Sequence, residues 1–192
     1  MTQIPAWDAA GIIPPVRPGA VGHSLDRSPY IAGALDLVAR FGTSQERCAI
    51  LDGWLRYREE LYSAGLVTGF QWLDGSFVED SEQYEDRAPG DIDVVTFFEL
   101  PAGVDQIQFD GQYPELFDPD ATKAKYLVDA YGMELGLPLD TELIADVTYW
   151  YSLWSHRRQD CRWKGFVQVD LNARADEVAA ANLAIIAKEL QQ

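Results

Sequence analysis

Two aspartates one residue apart, Asp91 and Asp93 in Gly90-Asp91-Ile92-Asp93-Val94-Val95, open an apolar run that reads as a β-strand. Side chains alternate along a strand, so both carboxylates project from one face, about 7 Å apart. Like charges so placed favour a cation between them, and carboxylate oxygens suit a divalent ion such as Mg²⁺ or Mn²⁺. An Asp-x-Asp pair by itself fits an exposed strand face or a turn entry equally well. Upstream, Phe70-Gln71-Trp72-Leu73-Asp74-Gly75-Ser76-Phe77 is a second apolar strand that breaks at a Gly-Ser pair. Such a break is often just a tight turn, but its backbone N–H groups and the Ser76 hydroxyl could also meet a phosphate. The two stretches together describe a site for a metal-bound nucleotide.

The flanking elements must hold these two strands side by side. Thr43-Ser44-Gln45-Glu46 reads as a capping box, and the helix it starts runs to about Ala64. Ile50, Leu51, Trp54, Leu55, Tyr57, Leu61 and Tyr62 form its apolar stripe and Gly65 its stop. It feeds a first strand over 66–73. A shorter helix over 28–41 is expected before it, with Ile31, Leu35 and Val38 on one face. The second strand continues from Val94 to Leu100, apolar enough for burial on both faces. A long loop, possible as a lid, is predicted for 101–118 and a helix for 121–135, with Tyr126, Leu127 and Tyr131 inward. Residues 141–149 read as a third strand and 165–171 as a fourth, while 149–154 is an aromatic run of either kind. A terminal helix over 173–190 carries Val178, Leu183, Ile185 and Ile186. Residues 1–30, rich in proline and glycine, read as an extended arm packed on the domain through Trp7, Ile12 and Ile13. The fold class this order implies is α/β (α+β): a small mixed sheet covered by helices.

A chain of 192 residues, 47% of them hydrophobic, supports one sizeable core and not two. The net charge of −16 opposes tight non-specific binding of nucleic acid. Two cysteines, Cys48 and Cys161, make no disulfide framework, and no apolar run approaches the roughly 20 residues of a membrane span. The expectation is a reduced, cytoplasmic protein with no membrane segment. Neither His23 nor His156 has metal-ligand spacing with a cysteine, which argues against zinc.

The Gly-Ser pair closing one strand and the Asp-x-Asp opening the next resemble the signature of the nucleotidyltransferase superfamily related to DNA polymerase beta. Ile4-Pro5, Gly11-Ile12-Ile13-Pro14-Pro15, Arg47, Leu73-Asp74-Gly75-Ser76-Phe77-Val78 and Lys164-Gly165-Phe166-Val167 extend the likeness to an uncharacterised family of small nucleotidyltransferase-like proteins of bacteria and phages. The gap of fourteen residues between Ser76 and Asp91 lies at the long end for the superfamily. The resemblance implies one nucleotidyltransferase-like domain over 31–192 that uses Mg²⁺ or Mn²⁺ and a nucleoside triphosphate. Asp91 and Asp93 would bind the metals, and a third carboxylate from a neighbouring strand would complete the site. Asp146 is the first choice for that role, catalytic and metal-binding, with Asp170 as its competitor. Gly75, Ser76 and Lys164 would meet the nucleotide phosphates, although Lys164 reads equally as a solvent lysine; Lys123 and Lys125 are weaker candidates. The acceptor hydroxyl would belong to a protein, an RNA or a small molecule.

Two further stretches have sharp and plain readings. Val78–Pro89 holds five acids, Glu79, Asp80, Glu82, Glu85 and Asp86, against Arg87; it is a solvated loop or a mobile cover over the site. His156-Arg157-Arg158, Arg162 and Lys164, interleaved with Trp154 and Trp163, form a salt-bridged surface or a nucleotide- or RNA-stacking patch. A second class of function stands beside the enzyme: a retired fold that serves as a protein-binding or regulatory module of the toxin–antitoxin or phage-defence type. The acidic surface suits a basic protein partner.

Overall fold

The computed structural model describes residues 4–192. After an irregular N-terminal segment the elements run β1 (Tyr30–Ile31), α1 (Ala34–Phe41), α2 (Gln45–Ser63), β2 (Gly69–Asp74), α3 (Ser81–Tyr84) and β3 (Ile92–Phe98). There follow α4 (Gln106–Gln112), α5 (Pro119–Tyr126), β4 (Val128–Glu134), α6 (Thr141–Trp154), β5 (Val167–Asp170) and α7 (Ala173–Glu189). The strands form one mixed sheet in the order β1-β5-β2-β3-β4, with β1·β5 and β3·β4 parallel and the two central pairings antiparallel. The α+β class follows directly.

The pivot is α2. Ser44, not Thr43, caps it, its hydroxyl accepting the Arg47 amide at 3.2 Å. One face buries Leu51, Trp54, Leu55 and Leu61 against α1, α7 and the sheet residues Leu73, Val94 and Val167. Gly53 allows α2 to approach the end of α5: a Cβ there would lie 1.8 Å from the Tyr126 carbonyl oxygen. Leu127 then turns the chain through a left-handed conformation into β4. A smaller core on the other sheet face joins Trp72, Val95, Phe97, Met133 and Phe166 to Leu143, Val147, Trp150 and Trp154 of α6. Helices thus cover both faces, as buried strands such as β3 require.

Buried polar groups lock the first layer. Arg58, wholly buried, donates to Asp176 of α7 at 2.7 Å, to Gln71 of β2 at 2.8 Å and to the Asp170 carbonyl of β5 at 2.7 Å. Gln71 also accepts from Trp54 Nε1 and donates to Thr96, which joins α2 to β2 and β3.

Several expected elements differ. Residues 30–31 are a strand, and α1 buries Ala34, Leu37, Val38 and Phe41 while Ile31 and Leu35 face solvent. The loop at 101–118 contains α4. The predicted helix at 121–135 ends at Tyr126 and becomes β4, and the predicted strand at 141–149 is the first part of α6. Val178 and Ile185 of α7 are exposed. In the N-terminal segment Ile4, Ile12 and Ile13 are buried, and Trp7 Nε1 donates to the Val78 carbonyl at 2.7 Å.

Candidate functional site

The pleat and the register of the three strands build the site. Asp74 of β2 pairs with Asp93 of β3, and Asp93 pairs with Asp129 of β4. Directly opposed residues share a face, so three carboxylates form a row across the sheet on its α6 side, one step from the Trp72, Val95 and Tyr131 row. Asp91 lies one pleat period before Asp93.

Such a row of acids raises its own proton affinity. Asp74 is buried, and loss of hydration lifts its carboxyl to about 7 against the pull of Lys164; Asp93 adds to the rise. Asp93 is raised to about 6 by burial, then by the charges of Asp91 and Asp129, with Asp129 within hydrogen-bonding reach. Lys164, 4% exposed, lies 2.6 Å from Glu79 Oε1 and 3.1 Å from Asp74 Oδ1, and donates to the Gly75 carbonyl at 3.3 Å. Its burial disfavours the charge, but Asp74 and Glu79 outweigh that and hold its pKa up. Asp74 Oδ1, although at ion-pair distance from Lys164, accepts no well-directed hydrogen bond. Lys123 of α5 pairs with Asp91, and this contact raises the lysine pKa.

Gly75 shapes the turn beside the row. Its φ of 81° and ψ of −167° belong to a region only glycine occupies readily. A Cβ there would lie 2.2 Å from Asp93 Oδ2, so the missing side chain makes room for the carboxylate. Ser76 follows in a single 3₁₀ turn over Ser76–Val78 and is partly exposed. The next segment is held by Arg47, wholly buried, which donates to the Phe77 and Glu79 carbonyls at 2.6 Å each and to both Glu82 oxygens. The acidic stretch at 78–89 is pinned at its start, where Glu79 pairs with Lys164 and Glu82 with Arg47, while Gln83, Tyr84, Asp86 and Arg87 beyond them are exposed.

The sheet thus brings together Asp91, Asp93, Gly75, Ser76 and Lys164, as the sequence suggested. Lys164 is neither a solvent lysine nor a free phosphate ligand, since two carboxylates already neutralise it. Asp146 is a correction: it lies on a helix, not a strand, and is exposed, while Leu143 and Val147 of that helix take the inward positions. Asp170 is exposed opposite Phe70, at the other end of β2 from Asp74. The carboxylate that a neighbouring strand does set beside Asp93 is that of Asp129. Its signal was the alternation Val128-Asp129-Ala130-Tyr131, which puts Val128 and Ala130 into the main core and Tyr131 on the opposite face. Of the basic cluster, Arg157 and Arg162 both pair with Asp160, and His156 bridges to Trp163.

The donor set bears on a metal directly. Among the described residues no three His, Cys, Asp or Glu side chains are arranged to hold an ion by themselves. Asp93 and Asp129 make a close pair, and Asp91 is turned to Lys123. That suits Mg²⁺, which is commonly held by one or two carboxylates with the remaining positions filled by substrate phosphates and water. The Cβ-free cradle at Gly75 fits the same use, since it leaves room beside Asp93.

No curated protein and no solved structure matches the chain. A family model does match, over residues 5–170, which includes every strand and the whole acidic row. The chain belongs to the family described as Family of unknown function (DUF6932).

Proposed function

We propose that the protein is a metal-dependent nucleotidyltransferase, moving a nucleoside monophosphate from a nucleoside triphosphate to a hydroxyl acceptor. The observation that carries this reading is the Asp74–Asp93–Asp129 row beside the glycine-only turn at Gly75. Asp93 and Asp129, with Asp91 once it leaves Lys123, would hold Mg²⁺ or Mn²⁺; Asp146 has no part. The bound ion would neutralise phosphate charge and lower the pKa of the acceptor hydroxyl. The protein's own groups do the rest. Ser76 and the adjacent backbone orient the phosphates, and Lys123, once released from Asp91, neutralises part of their charge. Lys164 holds Asp74, at the end of the row, and Glu79 in place. Asp129 takes the acceptor proton. The acceptor oxygen bonds to the α-phosphorus, the α–β bridging bond breaks, and pyrophosphate leaves with the bonding electron pair. No covalent enzyme intermediate is needed, so catalysis is positioning and charge neutralisation.

A second reading draws on the Lys123–Asp91 pair, which sets an ammonium where a cation would otherwise approach. On it the fold has retired from catalysis and serves as a binding or regulatory module for a basic protein partner. Pyrophosphate release separates the two, measured over the four ribonucleoside triphosphates with a panel of protein, RNA and small-molecule acceptors. Turnover by the wild type that falls by orders of magnitude in Asp93→Asn supports the enzyme. Equal release by both proteins overturns it.

A further inference from the structure

Beside the acidic row, on the same sheet face, the edge of the smaller core carries an aromatic group that reaches solvent: Tyr131 and Trp150 pack against that core, and Tyr149 lies outside it. Tyr131 is two residues beyond Asp129 on β4, about 7 Å along the strand. The Asp129 and Asp93 carboxylates lie near enough to its hydroxyl to help raise the tyrosine's proton affinity, after burial. The Tyr131 ring packs on Trp150 with centroids 4.7 Å apart, and Trp150 meets Tyr149 edge-on at 5.2 Å. Tyr149 is 58% exposed. Three rings are thus ranked from the acidic row outward to solvent, the inner one beside a site carboxylate.

We propose that Tyr149, supported by Trp150 and Tyr131, is the platform on which the base of the nucleotide stacks. This rests on the nucleotidyltransferase reading and adds the subsite for the base. A nucleoside extends from its phosphates by one sugar, so a base anchored beyond Asp129 falls on the neighbouring ring surface of the same face. Stacking is tolerant of base identity because every base has a π-face, whereas the inner ring, Tyr131, is already packed against Trp150. The exposed ring is therefore a general nucleobase contact, and selectivity between bases is low. The net charge of −16 disfavours polyphosphates without a counter-ion, so the base contact also offsets repulsion that phosphates alone would meet.

Calorimetry on the full chain with Mg²⁺ tests this, using ATP, GTP, CTP and UTP against inorganic tripolyphosphate, on wild type, Tyr149→Ala and Tyr149→Phe. The expected result is nucleotide binding tighter than tripolyphosphate binding. Tyr149→Ala should weaken nucleotides about 5- to 100-fold, leave tripolyphosphate unchanged, and be rescued by Tyr149→Phe. Tripolyphosphate bound as tightly as every nucleotide, or nucleotide affinity unchanged in Tyr149→Ala, overturns the platform and leaves the phosphate site standing. Wild type that binds none of these probes overturns both readings.

Discussion

Gly75 and Asp93 compete for one volume: the Cβ that any other residue would place at 75 falls 2.2 Å from Asp93 Oδ2. The backbone at 75 also has a positive φ of 81°. A substitution there meets two separate costs, and a double-mutant cycle can part them. Gly75→Ala should lose about 2–4 kcal/mol, of which about 1–3 is backbone strain. In the background Asp93→Ala the steric part disappears, so the two changes should show a coupling of about 1–2 kcal/mol in urea denaturation. Strict additivity would mean that Asp93 moves aside freely.

The acidic row predicts a reversed pH dependence. An aspartate in an unfolded chain titrates near 4, whereas Asp93 and Asp74 are raised to about 6 and about 7. Over that interval the native state keeps protons the unfolded chain has released. These two groups therefore make stability fall as pH rises from about 4 to 7, and level above it. Asp93→Asn should be more stable than wild type at pH 7.5 by about 1–3 kcal/mol, with the difference closing by pH 4. Mn²⁺ should stabilise wild type at pH 7.5 and much less at pH 5, where the carboxyls are protonated. Thermal melts across pH 4–8 with and without Mn²⁺ check both statements; a variant advantage that grows towards acid would contradict them.

How much of this the sequence displayed depended on whether a pattern was local. The capped helix at 45–63, the strand ending at Gly75-Ser76 and the Asp-x-Asp strand each carry their signal within a few residues, and the structure has all three. The chain from 119 to 154 does not. Ala124, Lys125, Tyr126 and Leu127 favour a helix and mask the seven residues of β4, although Val128 and Ala130 face the main core while Tyr131 and Met133 face the smaller one. Ile144, Val147 and Thr148 favour a strand, but Asp140 caps a helix by accepting the Leu143 amide at 2.9 Å. Leu143, Val147, Trp150 and Trp154 then recur at helical spacing along the packed face. Both departures bear on the same position: a strand at 141–149 offers Asp146 to the sheet, whereas the observed register sets Asp129 beside Asp93. The pairing that joins Asp93 to Asp129 is a contact between strands separated by two helices, and propensity has no access to it.

Arg47 should be among the most costly side chains to remove. It is wholly buried, and its guanidinium satisfies two backbone carbonyls as well as both Glu82 oxygens. Arg47→Ala leaves those groups unpaired, and a loss of about 3–5 kcal/mol is expected. The segment 77–86 should become the first site cut in limited proteolysis. Asp52→Ala, which removes the exposed pair with Arg56, should cost less than about 0.5 kcal/mol. Similar losses from both would mean that the buried guanidinium is not what fixes the turn after Ser76.

The assignment of the third carboxylate gives the most direct contrast. Asp129 lies beside Asp93 in the row, whereas Asp146 and Asp170 point to solvent from α6 and the far end of β5. Asp129→Asn keeps the size and shape of the side chain and relieves repulsion with Asp93, so the fold should be retained or slightly strengthened. Its Mn²⁺ affinity in the presence of nucleoside triphosphate should nonetheless fall at least tenfold, about 1.4 kcal/mol or more. Asp146→Asn and Asp170→Asn should bind as wild type does, because neither carboxylate faces the pair. Calorimetry on the three variants, with circular dichroism to establish that each is folded, measures this. Loss of binding in Asp146→Asn with Asp129→Asn unaffected would return the role to α6 and would require that helix to rearrange over the sheet when nucleotide binds.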